Sequence, residues 1–254
     1  MALLEVKNLT KHFGGLTAVG DVTLELNEGE LVGLIGPNGA GKTTLFNLLT
    51  GVYEPSEGTV ILDGHLLNGK QPYKIAALGL GRTFQNIRLF KDLTVLDNVL
   101  IAFSNHHKQH VFASFLRLPA FYKNEKELKA KALELLKIFD LDGEAETLAK
   151  NLAYGQQRRL EIVRALATEP KILFLDEPAA GMNPQETAEL TELIRRIKDE
   201  FKITIMLIEH DMSLVMEVTE RIYVLEYGRL IAHGTPDEIK NNKRVIEAYL
   251  GGEA

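Results

Sequence analysis

Residues 36–43 have the sequence Gly36-Pro37-Asn38-Gly39-Ala40-Gly41-Lys42-Thr43, which matches the pattern G-x-x-x-x-G-K-[ST] at every fixed position. The apolar run at 31–35 predicts a buried strand before them, and residues 43–49 predict a helix that ends at Gly51. A strand, a glycine-rich loop and a helix N-terminus surround a polyphosphate with backbone N–H groups. The alternative, a glycine-rich turn with an incidental lysine, fits this setting poorly. The segment therefore predicts binding of a nucleoside triphosphate with magnesium.

Composition bounds the class of protein. The chain has 254 residues, of which 45% are hydrophobic and 25% charged, as in a soluble globular protein of one large or two small domains. The absence of cysteine excludes disulfides, thiol catalysis and cysteine-bound metals. A net charge of −6 argues against a nucleic-acid partner. We expect neither a signal peptide nor a membrane span, because no run approaches roughly 18 apolar residues.

Two apolar patterns predict two kinds of sheet. Alternation at 4–9 and at 22–26 predicts antiparallel strands with one buried face. Continuous apolar runs at 172–175 and 203–208 predict strands buried on both faces, as in a parallel sheet covered by helices. The expected fold class is therefore α/β, with an antiparallel β subdomain beside a parallel core.

The middle of the chain has a different pattern. Residues 86–165 are mostly helical in character, and apolar positions at helical spacing predict a helix over 125–139. We expect a single domain over 1–254, in which 1–85 and 166–254 form the α/β core and 86–165 form an inserted helical subdomain. A plain run of core helices is the alternative.

Candidate catalytic and metal-binding residues follow the predicted strands. Lys42 should reach the β- and γ-phosphates, the Thr43 hydroxyl should bind magnesium, and Thr44 should lie near the α-phosphate. Asp176 and Glu177 end an apolar strand at the edge that carries the phosphate loop. We expect Asp176 to hold magnesium and Glu177 to orient or deprotonate the attacking water. A solvated acidic turn is the alternative.

Three further signals are weak when taken alone. His210 ends a predicted strand and could contact the γ-phosphate, although a lone histidine is more often packed or on the surface. Gln85 could bind magnesium and contact the attacking water, although glutamine is mostly a surface residue. The segment Leu152-Ala153-Tyr154-Gly155-Gln156 precedes a predicted helix, whose N-terminus would favour an anion.

Taken in order, the phosphate loop, Gln85, residues 152–156, Asp176-Glu177 and His210 resemble the motifs of the nucleotide-binding subunit of an ATP-binding cassette (ABC) transporter. The resemblance covers essentially the whole chain and implies an ATPase with ATP and Mg²⁺ as ligands. It implies that two cassettes pair head to tail, with each ATP between the phosphate loop of one and the signature segment, residues 152–156, of the other. In that segment Ala153, Tyr154, Gly155 and Gln156 are the residues expected at the nucleotide. It also implies that Phe13 stacks on adenine; a buried core aromatic is the alternative for Phe13.

The chain departs from the common family pattern at three places. The signature segment usually has the sequence Leu-Ser-Gly-Gly-Gln, whereas this chain has Ala153 and Tyr154 at its second and third positions. The lost serine hydroxyl removes one hydrogen bond, worth about 0.5–1.5 kcal/mol, so we expect weakened rather than lost function. Asn183 replaces the usual aspartate, which puts the contacts between subunits in doubt, and Phe13 replaces the commoner tyrosine.

One branch of the family is especially similar, the ATPase subunits of branched-chain amino-acid importers. The matching sequence lies at 81–90, 153–157 and 178–184, and an inserted loop at about 104–124 is also typical of that branch. The resemblance implies membrane permease subunits, a second cassette ATPase and, indirectly, an extracytoplasmic substrate-binding protein as partners. It places the chain at the cytoplasmic face of the membrane. The substrate rests on family analogy alone.

Other functions stay open. Another ABC system, for lipopolysaccharide export or for urea or other amino-acid import, is the main alternative, and residues 230–236 fit an exporter too. A soluble cassette ATPase is disfavoured by the single phosphate loop and the lack of heptads, and a nucleotide kinase by the lack of an arginine-rich lid. The histidines at 106–110 suggest a metal site or a polar loop. Arg158-Arg159 suggests an anion site or a packed helix face.

Overall fold

The computed structural model describes residues 2–103 and 119–250. Most of the predicted insertion at 104–124, including the histidines at 106–110, therefore lies outside the described residues. The chain divides into two compact units, the first comprising residues 1–82 and 171–254 and the second residues 83–170. These bounds fall a few residues from the predicted ones at 85/86 and 165/166, and the assignment of one cassette domain to the whole chain stays a prediction.

The first unit contains an antiparallel sheet in the order β2-β1-β4-β5. Its strands are β1 (Ala2–Phe13), β2 (Leu16–Asn27), β4 (Glu57–Leu62) and β5 (His65–Leu66). Buried and exposed residues alternate along the second half of β2, as the sequence pattern predicts for a sheet with one buried face.

The same unit contains a six-stranded sheet in the order β10-β9-β3-β8-β7-β6. Its strands are β3 (Leu31–Ile35), β6 (Leu80–Arg82), β7 (Ile172–Asp176), β8 (Thr204–Ile208), β9 (Arg221–Glu226) and β10 (Arg229–Gly234). All neighbours pair in parallel except β9 and β10, which form the predicted hairpin. Every residue of β3, β7 and β8 is buried, which explains their continuous apolar sequences.

The strand register brings three segments to one edge of this sheet. Leu34 of β3 lies opposite Ile208 of β8, and Ile208 lies opposite Asp176 of β7. Because these strands are parallel, the residues that follow each of them emerge at the same edge.

The first unit also contains helices, which connect or follow the strands of its two sheets. They are α1 (Lys42–Leu49), α2 (Pro72–Ala77), α6 (Pro184–Phe201), α7 (Met212–Val218), α8 (Pro236–Lys240) and α9 (Lys243–Leu250). Helix α1 buries Phe46, whose ring centroid lies 5.5 Å from that of Phe174 in β7. This packing fixes α1, and with it the end of the phosphate loop, against the sheet.

The second unit is mainly helical over its described residues. It contains α3 (Val95–Phe103), α4 (Pro119–Ile138) and α5 (Tyr154–Leu166), with short 3₁₀ turns at Asp142–Glu144 and Ala149–Asn151. Helix α4 begins six residues before the predicted start at 125 and ends one residue before the predicted end at 139; its first residue is a proline, which is well tolerated at that position. Within 2–103 and 119–250, no helix is both long and apolar enough to cross a bilayer.

Candidate functional site

The phosphate loop joins β3 to α1, and its shape depends on two glycines. A Cβ atom at Gly36 would lie 2.1 Å from the Leu225 carbonyl oxygen, and one at Gly41 would lie 2.6 Å from that of Ala18. Gly41 also has a φ of +99°, which favours glycine, and it is the residue before the first turn of α1. The loop is thus held close to β2 and β9 by contacts that no side chain would permit.

The Lys42 side chain is buried within this loop, with an exposed fraction of 8%. Its Nζ donates to the Gly36 carbonyl at 2.6 Å and to the Pro37 carbonyl at 3.1 Å. Burial lowers the pKa of Lys42 from its ordinary value, and the nearby Glu177 carboxylate acts in the opposite direction. Lys42 and Glu177 therefore interact electrostatically although they lie 135 positions apart in sequence.

Two oxygen-bearing side chains lie where magnesium is expected. Thr43, the second residue of α1, is exposed, and Asp176, the last residue of β7, is buried. Hydroxyl and carboxylate oxygens suit Mg²⁺, which usually takes one or two protein oxygens and completes its shell with phosphate and water. The donor set thus fits a magnesium ion that arrives with a nucleotide.

Glu177 has an unusual backbone conformation for a residue with a side chain. Its φ is +46°, and its N–H donates to the Ile208 carbonyl of the neighbouring strand at 2.8 Å. A non-glycine residue in this region costs on the order of 1–3 kcal/mol and is concentrated at functional sites. The backbone therefore leaves the extended conformation of β7 directly after Asp176.

His210 and its neighbour Glu209 follow β8 at the same edge of the sheet. The His210 side chain is 61% exposed, whereas Glu209 is fully buried. Glu209 Oε1 accepts from the Ala179 N–H at 2.8 Å, and its Oε2 accepts from the His210 N–H at 3.2 Å. Burial raises the pKa of Glu209, and these backbone hydrogen bonds oppose that rise. Sequence reasoning missed Glu209, although a carboxylate directly after a buried strand was the signal used for Asp176.

Phe13 is the candidate for contact with a nucleotide base. Its ring is 43% exposed and meets Tyr53 edge to face, with centroids 5.3 Å apart. The Lys11 Nζ lies 5.2 Å from the Phe13 ring centroid. This exposure is inconsistent with the alternative of a buried core aromatic.

The signature segment begins helix α5 in the second unit. Ala153 and Tyr154 are exposed, and the Ala153 N–H donates to the Gln156 side chain at 3.1 Å. Ala153 has no side-chain oxygen to accept from the first-turn N–H groups, so only half of a capping box is present. The start of this helix is therefore open to an external acceptor.

We predict that Ala153→Ser stabilises the folded chain. A serine at this position can accept from the Gln156 N–H and complete the capping box, with a gain of about 1 kcal/mol. Urea denaturation followed by circular dichroism should show a higher midpoint with an unchanged slope. Ala153→Val is the matched control, because it adds bulk without an acceptor; an equal gain in that variant would contradict the capping explanation.

A buried ion pair connects helix α5 to the segment that contains Gln85. Arg158 donates to Glu161 at 2.8 Å, to the Phe84 carbonyl at 2.8 Å and to the Gln85 carbonyl at 2.9 Å. Glu161 accepts in turn from the Phe84 N–H at 3.2 Å and the Arg88 N–H at 3.3 Å. Burial raises the pKa of Glu161, and Arg158 opposes this. The arrangement favours the packing interpretation of Arg158, and Glu161 is a second residue that sequence reasoning missed.

Asn183, one of the departures from the common pattern, caps helix α6. Its side chain accepts from the Glu186 N–H at 3.0 Å, and Glu186 accepts from the Asn183 N–H at 2.9 Å. Pro184 occupies the first helical position. Asn183 thus has a local structural role that aspartate would also fill.

The predicted site residues fall into two groups. The first unit brings the phosphate loop, Asp176, Glu177 and His210 to one edge of the sheet, and it also contains Phe13. The second unit contains Gln85 and the signature segment. Arg158 connects them, because its guanidinium donates to the Gln85 carbonyl and to the Tyr154 hydroxyl.

Family models match two parts of the chain. The model described as ABC transporter matches residues 19–180, which include the phosphate loop, the signature segment and both carboxylates. The model described as branched-chain amino acid ATP-binding cassette transporter matches residues 229–254.

Individual relatives match over nearly their whole length. The chain is 52% identical to the high-affinity branched-chain amino acid transport ATP-binding protein LivG of Salmonella typhimurium, over 98% of each chain. It is 35% identical to the lipopolysaccharide export system ATP-binding protein LptB of Escherichia coli, over 99% of this chain and 98% of that protein. A crystal structure of the ADP conformation of an ATP-binding cassette of an ABC transporter matches with a TM-score of 0.85 and 32% identity, covering 99% of both chains. The chain therefore belongs to the ABC transporter family, as one of its ATP-hydrolysing cassettes.

Proposed function

We propose that the chain is the ATP-hydrolysing subunit of an importer for branched-chain amino acids. The convergence of Lys42, Glu177 and His210 at one sheet edge supports the reaction. The observation that carries the choice of substrate is the 52% identity to LivG over 98% of both chains. The match of residues 229–254 to the branched-chain cassette model supports the same branch.

ATP binding is assigned to the phosphate loop and Phe13. Backbone N–H groups of the loop and of the first turn of α1 face the phosphates, and Lys42 exchanges the Gly36 and Pro37 carbonyls for charged phosphate oxygens. The Thr44 hydroxyl lies near the α-phosphate. Adenine stacks on the exposed Phe13 ring, a contact worth on the order of 1–3 kcal/mol.

Magnesium is assigned to Thr43 and Asp176 of the first unit. The ion, when bound with ATP, neutralises charge on the β- and γ-phosphates. Thr43 and Asp176 would hold it beside the phosphate loop.

Hydrolysis is assigned to Glu177 and His210. The Glu177 carboxylate orients the attacking water and accepts its proton, and its electrostatic interaction with Lys42 supports a position near the γ-phosphate. His210 donates to a γ-phosphate oxygen as negative charge develops in the transition state. Positioning and electrostatics thus account for the catalysis, as for phosphoryl transfer in general.

A second cassette completes each ATP site. The exposed start of α5, with Ala153, Tyr154, Gly155 and Gln156, faces the γ-phosphate bound by the partner, and its helix dipole favours that charge. In the branch that this chain resembles, two different ATPase chains are usual, so we favour a heterodimer, and a homodimer of this chain is the alternative. Permease subunits contact a groove beside residues 85–90, which places the assembly at the cytoplasmic face of the membrane, and a substrate-binding protein acts indirectly.

An uptake experiment tests the substrate assignment. Cells of the source organism that lack this chain are expected to lose high-affinity accumulation of radiolabelled leucine, isoleucine and valine. The wild-type chain should restore it, and a Glu177→Gln chain, which cannot turn over ATP, should not. Uptake that is independent of the chain would contradict the proposal.

Lipopolysaccharide export is the second candidate, because the chain is 35% identical to LptB over nearly its full length. The same deletion strain distinguishes the two. Intact amino-acid uptake combined with a defective outer surface would favour export.

A further inference from the structure

Glu209 is a buried carboxylate to which the proposed mechanism assigns no role. Its exposed fraction is 0%, and among the described residues no lysine or arginine forms an ion pair with it. A buried charge without a cation is costly unless hydrogen bonds replace its hydration. Here backbone N–H groups supply those bonds.

The two carboxylate oxygens of Glu209 bind different segments. Oε1 accepts from Ala179, two residues after Glu177, whereas Oε2 accepts from His210. The His210 Nδ1 atom also lies 3.7 Å from Oε2, too far for a hydrogen bond but close enough for electrostatic attraction when the ring is protonated. One side chain thus connects the loop after the general base to the residue assigned to the γ-phosphate.

Helix capping does not explain these contacts. The helix that follows, α7, is capped by Asp211, whose side chain accepts from the Ser213 N–H at 2.9 Å and the Leu214 N–H at 3.3 Å. The Glu209 carboxylate interacts with the backbone of Ala179, His210 and Asp211, none of which lies within that helix.

We infer that Glu209 is a positioning residue for hydrolysis, which fixes the Glu177 loop and His210 relative to one another. The inference rests on the proposed function, because it assigns no new contact with ATP. It deepens that function by naming a device through which the groups that act on the γ-phosphate move together.

The test compares Glu209→Gln with wild type in ATP hydrolysis and in titration with a fluorescent ATP analogue. Glutamine has the same shape but only one acceptor oxygen, so one backbone N–H loses its partner. We expect kcat to fall by about tenfold or more, which corresponds to one well-placed hydrogen bond, while the Kd for the nucleotide changes by less than about twofold. Glu30→Gln is the matched control. Glu30 directly precedes β3 and pairs with Arg221, the first residue of β9, so this ion pair lies at the sheet edge opposite the candidate site.

A double-mutant cycle separates positioning from general stability. If Glu209 acts through His210, Glu209→Gln should lower kcat much less in a His210→Ala background than in wild type. Equal losses in the two backgrounds, a wild-type kcat, or a parallel loss of nucleotide affinity would each overturn the inference.

Two further variants keep the test decisive. Should Glu209→Gln fail to fold, Glu209→Asp retains the charge and both oxygens on a shorter stem, and its kcat is expected to be lower than wild type; a wild-type kcat would overturn the inference. Glu177→Gln is measured in parallel. Normal turnover in that variant would refute the proposed catalytic site itself, whereas an inactive Glu177→Gln beside an unaffected Glu209 variant would refute only the role of Glu209.

Discussion

Glu177→Gln is expected to reduce ATP turnover by about 100-fold to 10,000-fold, the range that a general base contributes. Glutamine has nearly the same size as glutamate, so the backbone at φ +46° and the hydrogen bond to Ile208 should persist. It cannot accept a proton from water, and its amide orients water differently. Release of inorganic phosphate measures the loss directly.

Nucleotide binding by the Glu177→Gln variant should remain, because the phosphate loop and Phe13 are unchanged. Titration with a fluorescent ATP analogue should give an affinity close to that of wild type, and size-exclusion chromatography with ATP should show a dimer that persists because it does not hydrolyse its nucleotide. Turnover at the wild-type rate would disprove the role of Glu177. The Glu30→Gln variant serves as the control for a carboxylate lost elsewhere in the same unit.

Lys42→Ala is expected to weaken ATP binding by at least about 100-fold. Hydrogen bonds to charged groups contribute about 1.5–3 kcal/mol each, and Lys42 is the cation buried in the loop beside the expected phosphates. The measurement is again a titration with a fluorescent nucleotide.

The control for Lys42→Ala must separate lost charge from lost stability, since the substitution also removes the bonds to Gly36 and Pro37. Lys171→Ala is suitable, because Lys171 lies in the same unit, is exposed and pairs with Asp63. Thermal unfolding of both variants checks that they are folded. Unchanged affinity in a folded Lys42→Ala variant would contradict the phosphate assignment.

The elements that sequence could predict are those set by local chemistry. The strand, loop and helix around residues 31–49 follow from an apolar run, fixed glycines and a helix start, all within one short segment. The hairpin of β9 and β10 and helix α8, which begins with Pro236, are likewise determined by short sequence segments. By contrast, β6 has only three residues, and its place depends on pairing with β7, in which the partner of Leu80 is Ile172, 92 positions further along the chain.

The candidate site divides in the same way. Asp176, Glu177 and His210 could be found because each lies at or just after the end of an apolar strand. Glu209 directly follows such a strand as well, but its partners are backbone N–H groups, and such partners leave no mark in the sequence. Glu161 lies within a helix and accepts from the backbone of a segment more than 70 positions away, which no local pattern indicates. Their burial against distant segments becomes visible only once the chain is folded.

The most direct test of the account is purification of this chain from native membranes in mild detergent, with mass spectrometry of the proteins that accompany it. We predict two multi-span permeases and a second, related cassette ATPase. Recovery of lipopolysaccharide-transport membrane proteins, or of soluble factors alone, would contradict the role in amino-acid import.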